Sequence, residues 1–236
     1  MFELNPALDA RALASRFAAQ GRVRIADFLT AQSAEALHTH LRGREDWVQV
    51  VNSGAKVFDL DRATRSAMSA DQAQALDDSV YAGARTGFQH RYEAIRVPDA
   101  AQAREGQGDL LARFALWMSA GPARDFLREV SGRRELAFLD AQATAYAPGD
   151  FLTAHDDGVE GKHRLAAYVF GLTPLWRAEW GGLLLFHDAQ GDIERGFTPR
   201  FNTLNLFAVP QLHSVSLVSR AAPHRRYAVT GWLRSA

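Results

Sequence analysis

The chain has 236 residues, of which 47% are hydrophobic, enough to bury the core of one large domain. Its 27 basic and 27 acidic residues cancel, so no overall charge favours nucleic acid or an anionic membrane as a partner. Cysteine is absent, which excludes disulfides, thiolate metal sites and cysteine nucleophiles. The N-terminus lacks the apolar stretch of a signal peptide, and no apolar run is long enough for a membrane span. We therefore expect a cytoplasmic protein whose metal sites, if any, use nitrogen and oxygen ligands.

The first 132 residues or so have a mainly helical pattern. Asn5 and Pro6 are typical of a helix start, and the segment RVRIADFL then predicts a short strand. Ser69 and Gln72 have the spacing of a capping box at the start of another helix. The segments DLLARFALWM and PARDFLREVSG predict two more helices.

From about residue 135 onward the pattern changes to short strands between turn signals, which is typical of an antiparallel sandwich or barrel. The predicted strands are 136–146, 164–172, 182–187, 203–208, 213–219 and 226–234. We find no repeat, low-complexity tract or linker. The sequence therefore predicts one domain over residues 1–236, mainly β, with a mostly helical part (1–134) packed around a β core (135–234).

The segment LDAQATAY indicates what that β core encloses. In a strand, alternate residues share a face, so Ala141 lies on a small apolar face and Gln142, Thr144 and Tyr146 lie on a polar one. The polar face lies either in water or along a polar cavity, and this strand by itself favours neither.

The segment FLTAHDDGVEGKH then places a histidine next to two carboxylates. On an extended segment, residues two apart point to the same side, so His155 and Asp157 can reach one metal ion while Asp156 points away. Alone, this spacing is more often a surface polar cluster. His213 starts a later strand with alternating apolar residues, and it could bring a second imidazole to the same ion. Two histidines and one carboxylate form the facial triad of non-haem iron sites.

The last strand places Arg226, Ala228 and Thr230 on one face. An arginine followed by small residues makes a cationic socket that suits a carboxylate. The alternative is a salt bridge within the barrel wall, which is the interpretation we would favour for an arbitrary arginine in a strand.

Taken together, these motifs resemble the prolyl hydroxylase branch of the Fe(II)/2-oxoglutarate-dependent oxygenases. The resemblance covers about residues 135–234 in family order. The matching elements are Tyr146, His155-x-Asp157, GGLLLF at 181–186, His213 and RYAVTGW at 226–232.

This resemblance implies a double-stranded β-helix, or jelly roll. It implies that His155, Asp157 and His213 bind Fe(II), and that Arg226 binds the distal carboxylate of 2-oxoglutarate. Tyr146 is implied as a hydroxyl partner near the co-substrate. One departure is that a tyrosine present in some relatives aligns with Gly171 rather than Tyr168, so Thr230 is the candidate second partner of the carboxylate.

The implied activity is a dioxygenase that uses Fe(II), 2-oxoglutarate and O₂, with ascorbate as reductant, and hydroxylates a C–H bond. A prolyl residue in a protein or peptide is the leading substrate. The alternatives are a free amino acid or other small metabolite, an oxygenase acting on nucleic acid, which the zero net charge disfavours, and a non-catalytic jelly-roll binding module. Relatives that halogenate have Gly or Ala in place of the carboxylate, so Asp157 favours hydroxylation. The sequence does not indicate an oligomeric state.

Candidate residues for substrate contact lie in two loops. Arg91 and Tyr92 in GFQHRY could contact a peptide, as could His163 and Arg164 after the histidine–aspartate motif. For Trp176 and Trp180 we favour packing over recognition. The remaining candidates are interpreted as ordinary polar histidines: His90, His187 and His224.

Overall fold

The computed structural model describes residues 2–235. Within that range the helices are α1 (Ala10–Gln20), α2 (Ala31–Gly43), α3 (Arg62–Ser66), α4 (Ala70–Ala84), α5 (Ala101–Gln107), α6 (Leu110–Met118) and α7 (Gly121–Ser131). The strands are β1 (Arg22–Ile25), β2 (Val48–Ser53), β3 (Lys56–Asp61), β4 (His90–Arg96), β5 (Phe138–Leu139), β6 (Gln142–Tyr146), β7 (Phe151–His155), β8 (Arg164–Gly171), β9 (Leu184–His187), β10 (Ile193–Phe197), β11 (Thr203–Ala208), β12 (His213–Val215) and β13 (Arg226–Arg234). A short 3-10 helix (Ala178–Trp180) precedes β9.

Local side-chain chemistry sets the helix starts. The predicted capping box is confirmed on α4, where the Gln72 amide donates to the Ser69 hydroxyl at 3.2 Å and the Ser69 amide donates to the Gln72 side chain at 2.9 Å. The predicted start of α1 is wrong by several residues. Asp9 caps that helix, because its carboxylate accepts from the Ala12 amide at 3.0 Å, whereas the Asn5 side chain closes a separate turn.

All 13 strands belong to one antiparallel sheet, which confirms the predicted mainly β fold with N-terminal helices. Along the main path the strand order is β1-β11-β8-β13-β6-β4-β7-β12-β9-β10. This path is not sequential, as expected for a jelly roll. Strands from both halves of the path line a common cavity.

The helical part supplies more strands than the sequence pattern predicted. Besides β1, it contains the β2–β3 hairpin and β4, which the pattern did not identify. β4 joins β6 to β7 in the centre of the sheet, and β1 forms one edge beside β11. The N-terminal part and the β core are therefore joined by sheet hydrogen bonds as well as by helix packing.

The two faces of β6 have opposite environments, which decides between the two interpretations of its polar side. Ala143 and Ala145 are fully buried in the main core, together with residues of the N-terminal helices such as Phe114 and Leu127. Gln142 and Thr144 face the cavity. The polar face of this strand thus lines a cavity and does not lie in bulk water.

Within residues 2–235 no helix combines the length and the apolar character that crossing a bilayer requires. The cytoplasmic location stays a prediction.

Candidate active site

Two histidines meet across a pair of antiparallel strands. His155 is the last residue of β7 and His213 is the first of β12, and the sheet register pairs them directly. Their ring centroids are 4.2 Å apart. Sheet pairing therefore brings together two imidazoles that are far apart in the sequence.

Asp157 reaches the same point by a backbone turn that the sequence analysis did not anticipate. Strand β7 ends at His155, and Asp157 has φ 63, in the left-handed region. The expectation that the two side chains converge is met, but the expected reason, strand alternation, is wrong. Asp156 is exposed, and its carboxylate accepts from the Gly158 amide at 2.9 Å, closing the turn. The left-handed conformation of Asp157 is favourable for this residue type, because aspartate is among the residues that tolerate it best.

The Asp157 carboxylate faces both imidazoles. One of its oxygens lies 3.5 Å from His155 Nε2 and the other lies 3.5 Å from His213 Nε2. The side chains of Asp157 and His213 are 7% and 6% exposed, so the donors lie below the protein surface. One ligand atom from each residue lies within 4.8 Å of the others, close enough for all three to bind one metal ion. Two imidazoles and a carboxylate suit Fe(II).

Backbone carbonyl groups select the imidazole tautomer that metal binding through Nε2 requires. His155 Nδ1 lies 3.0 Å from the Thr153 carbonyl oxygen, and His213 Nδ1 lies 2.8 Å from that of Gln211. Because a carbonyl oxygen can only accept, each Nδ1 carries a proton, and in the neutral ring Nε2 is then the nitrogen that can bind a metal. Burial, reinforced by the neighbouring His155, lowers the pKa of His213 to about 4, so this ring is neutral at physiological pH. The residues present fit a metal ion.

A cation also supports Asp157. Arg164, on β8, donates from Nη1 to the Asp157 carbonyl oxygen at 3.1 Å, and the same nitrogen lies 3.8 Å from the carboxylate. The guanidinium carbon of Arg164 lies 3.5 Å from the ring centroid of Trp232 on β13. These contacts fix the turn that carries Asp157.

The three donors open into a cavity of about 390 Å³. Its wall from β6 and β13 includes Tyr146, Arg226, Thr230 and Trp232. The predicted strand alternation therefore holds on β13, where Arg226 and Thr230 both face the cavity.

Arg226 is buried without an acidic partner. The residue is only 4% exposed, and no ion pair among residues 2–235 includes its guanidinium. The sheet register pairs Arg226 with Tyr146, and its guanidinium carbon lies 5.0 Å from the tyrosine ring centroid. Burial lowers the pKa of Arg226, although Tyr146 opposes that shift. A buried cation with no anion is costly, so this socket suits a carboxylate supplied by a ligand.

Tyr168 and Gly171, the two positions considered for a second tyrosine, have structural roles. The Tyr168 hydroxyl donates to the Asp140 carbonyl oxygen at 3.0 Å. At Gly171 an added Cβ would lie 2.3 Å from the Arg200 carbonyl oxygen, so no tyrosine fits there without moving the backbone. The role of Thr230 toward a bound carboxylate stays a prediction.

The structure corrects several predictions about substrate contact. Arg91 does not line the cavity, because it is 6% exposed and bound to the carboxylates of Asp77 and Asp150. His163 is exposed and lies outside the cavity lining, although Arg164 lies within it.

The predicted packing role of the two tryptophans agrees with the structure. Trp176 and Trp180 pack edge to face with centroids 5.6 Å apart, and His224 contacts both rings. None of the three lines the cavity that holds the metal-ligand candidates.

Sequence reasoning missed His90. We interpreted it as an ordinary polar histidine, but it is 7% exposed and lines the cavity beside Phe88 and Tyr92. The signal would have been the alternation in QHRYEAIR, which places His90 and Tyr92 on one face of a strand.

The comparisons with known proteins point to one group of enzymes. Residues 141–234 match the model of the 2OG-Fe(II) oxygenase superfamily. Over 116 residues the chain is 30% identical to the prolyl 3-hydroxylase OGFOD1 of Mus musculus, an alignment that covers 46% of this chain and 21% of that protein. The chain thus spans about a fifth of the length of this curated relative.

Solved structures share the fold over most of the chain. A prolyl-4-hydroxylase of Pseudomonas putida aligns with a TM-score of 0.60 and 19% identity, covering 96% of this chain and 99% of that one. A prolyl hydroxylase of Trichoplax adhaerens, solved with a hypoxia inducible factor peptide fragment, aligns with a TM-score of 0.58 and 15% identity, covering 96% and 89%. At these identities the likeness establishes the jelly-roll fold.

Proposed function

We propose, from the premise that residues 141–234 belong to the 2OG-Fe(II) oxygenase superfamily, that the protein is an Fe(II)- and 2-oxoglutarate-dependent dioxygenase. Its substrate is a prolyl residue in a protein or peptide, which gains a hydroxyl group. The observation that carries this proposal is that His155, Asp157 and His213 share one cavity with the buried, unpaired Arg226. A dicarboxylate that chelates a metal ion requires metal ligands at one end and a cation for its other carboxylate. This cavity offers both.

The residues of the chain have separate tasks. His155 Nε2, His213 Nε2 and the Asp157 carboxylate would hold Fe(II) at the wall of the cavity. Arg226 binds the distal carboxylate of 2-oxoglutarate, and the Tyr146 ring packs against its guanidinium. The carbonyl oxygens of Thr153 and Gln211 hold the imidazole protons on Nδ1, away from the metal.

The bound iron supplies the oxidising chemistry that the side chains cannot. The balanced reaction converts substrate C–H, O₂ and 2-oxoglutarate into substrate C–OH, succinate and CO₂. The protein's contribution is to hold the co-substrate by both ends and to keep the reacting C–H bond next to the metal. Ascorbate is a suitable reductant for an assay.

The relatives guide the substrate choice. The matched mouse protein is named as a prolyl 3-hydroxylase, and two of the similar structures are described as prolyl hydroxylases. The structure of the Trichoplax protein contains a peptide, which agrees with a protein or peptide substrate here. The cavity lining also has no cation free to bind the carboxylate of a free amino acid, which favours a residue within a polypeptide.

The test is succinate formation by the purified protein with Fe(II), 2-oxoglutarate and ascorbate in air, with and without proline-containing peptides. We expect peptides to stimulate succinate formation and to gain one oxygen atom by mass spectrometry. Binding is measured separately, as the anaerobic absorption band of the Fe(II)·2-oxoglutarate complex. Absence of both turnover and this band would refute the enzymatic proposal and leave a binding module.

A further inference from the structure

His90 has a buried side chain that the proposed chemistry does not use. It lies on β4, is 7% exposed and lines the same cavity as the three metal-ligand candidates. Its ring is held between Phe88 and Tyr92, with centroids 5.5 Å and 5.4 Å away. Its backbone amide donates to the Asn52 side chain at 2.8 Å, which anchors this part of the strand.

The ring nitrogens of His90 lack hydrogen-bond partners. Among residues 2–235 the hydrogen bonds of His90 involve its backbone only, through the contacts with Asn52 and Gln89. By contrast, His155 and His213 each bond a carbonyl oxygen through Nδ1. Because this ring lines the cavity and no protein group occupies its nitrogens, it is available for a hydrogen bond to a ligand.

Burial keeps His90 uncharged. Burial, with smaller contributions from His155 and Arg96, lowers the pKa of His90 to about 4. At physiological pH the ring therefore offers one N–H donor and one nitrogen acceptor. A polypeptide backbone offers carbonyl acceptors and N–H donors along its length. An uncharged backbone amide is therefore complementary to such a ring.

The cavity residues next to His90 are uncharged, and the lining offers no cation that is free for a substrate carboxylate. The rings of Phe88 and Tyr92 contact His90, and Leu152 pairs with it across the sheet. Phe88 and Val159 are 48% and 50% exposed and mark the cavity mouth, where the lining also includes Asp156, whose carboxylate accepts from the Gly158 amide. The charged residues deeper in the cavity already have partners or proposed ligands, since Arg164 binds Asp157 and Arg226 is assigned to 2-oxoglutarate. The carboxylate of a zwitterionic amino acid would need a free cation on this wall.

We infer that His90 is a substrate-contacting residue that hydrogen-bonds an uncharged backbone amide of a polypeptide substrate, and so selects peptide-embedded residues over free amino acids. This inference rests on the proposed function and adds a specificity residue to it. Phe88 and Val159 form the apolar rim over which the polypeptide enters. The neutral imidazole binds the peptide backbone next to the reacting residue. Metal binding does not depend on His90.

The test compares His90→Leu with His90→Gln. Leucine removes both hydrogen-bonding atoms at similar volume, whereas glutamine keeps a neutral donor and acceptor. The probes are the blocked peptide acetyl-Ala-Pro-Ala-amide and free L-proline, and the readouts are KM and kcat for probe-stimulated succinate formation. His224→Leu is the matched control, because it makes the same change outside the cavity.

We expect the blocked peptide to stimulate turnover and free proline to be the poorer substrate. His90→Leu should raise the peptide KM about tenfold with a smaller effect on kcat, because a buried partner is left unsatisfied. His90→Gln should recover most of that loss, and the anaerobic affinity for 2-oxoglutarate should match wild type in both variants. A purely structural role would lower 2-oxoglutarate affinity and the melting temperature together, without rescue by glutamine.

The outcomes separate this inference from the proposed function. A wild-type peptide KM in His90→Leu would overturn the contact, and preference for free proline would overturn the selection for peptides. If neither probe stimulates turnover while the 2-oxoglutarate absorption band is present, this inference fails but the oxygenase proposal stands. If the band is absent as well, the proposed function fails and takes the inference with it.

Discussion

Arg91 and Arg226 are both buried arginines on strands of the same sheet, but their surroundings are opposite. Arg91 is 6% exposed and has four polar partners, including Asp150 at 3.2 Å and the Gly149 carbonyl oxygen at 2.6 Å. Arg226 is 4% exposed, has no ion pair among residues 2–235, and has the face of the Tyr146 ring 5.0 Å from its guanidinium carbon. A buried cation needs an anion or hydrogen-bond acceptors to offset its desolvation. Arg91 has such partners within the fold, whereas Arg226 is suited to receive one from a ligand. The difference indicates that partners, more than burial, identify functional polar groups.

The largest expected effect is at the metal site itself. His155→Ala or Asp157→Ala should lower Fe(II) affinity at least about 100-fold, because loss of a direct ligand should exceed the effect of losing an outer partner. Turnover of 2-oxoglutarate should fall below detection. Fe(II) titration under anaerobic conditions measures the affinity. Asp156→Asn is the matched control, since it removes the charge of the exposed neighbour but keeps the side-chain oxygen that accepts from the Gly158 amide, and it should keep wild-type Fe(II) affinity. Tight Fe(II) binding by either ligand variant would refute the assignment.

The next effect should separate the two arginines by binding. Arg226→Met should weaken 2-oxoglutarate about 100-fold, since it removes one partner of a buried charge pair, a loss of about 3 kcal/mol. The ligand-free protein should be as stable as wild type or more so, because a buried unpaired cation is gone. Anaerobic titration of the absorption band and denaturant unfolding measure the two quantities. Unchanged 2-oxoglutarate affinity would move the carboxylate site away from Arg226.

The same substitution at Arg91 should have the reverse pattern. Arg91→Met should reduce the free energy of unfolding by about 3 kcal/mol and leave 2-oxoglutarate affinity unchanged, because Asp150 would be left buried and unpaired. Urea unfolding of both variants checks this contrast. A stable Arg91→Met variant with weakened 2-oxoglutarate binding would break the comparison between the two arginines.

The pH dependence of this deficit has a definite sign. Burial raises the pKa of Asp150 to about 6 even beside Arg91, so its contribution to stability is lost as pH rises from about 4 through about 6. Because the Arg91 cation lowers the pKa of Asp150, removing Arg91 should raise that pKa further. The loss of stability with rising pH then extends to higher pH. The deficit of Arg91→Met should therefore be smaller at pH 5 than at pH 8. A deficit that grows on acidification would contradict this account.

The smallest effect is expected where the backbone approaches Arg226. An added Cβ at Gly182 would lie 3.3 Å from Arg226 Cδ and 3.1 Å from Val218 Cγ2, and Gly182 has φ 61. Gly182→Ala should cost about 1 kcal/mol of stability through left-handed strain. It should also weaken 2-oxoglutarate about fivefold by shifting the guanidinium. Gly191→Ala is the control, because Gly191 is also left-handed but has no atom within 4 Å of an added Cβ. Equal 2-oxoglutarate affinity in both variants would show that Arg226 tolerates the shift.

The sequence by itself determined much of the C-terminal half. Alternation predicted that Thr144 and Tyr146 share one face of β6 and that Arg226 and Thr230 share one face of β13, and both sets line the cavity. Composition excluded thiolate sites, and the residue types in the motif limited the metal ligands to imidazole and carboxylate. These features are local, because periodicity and side-chain chemistry are properties of short segments.

Tertiary structure decided what depends on long-range pairing. Whether the polar face of β6 met water or a cavity, and whether Arg91 or His90 reached that cavity, followed from β4 joining β6 and β7. The turn that carries Asp157 is held by Arg164, a contact that strand alternation does not encode. Burial and partners arise from residues distant in sequence, so they set which of several similar polar side chains becomes a structural pair and which stays available to a ligand.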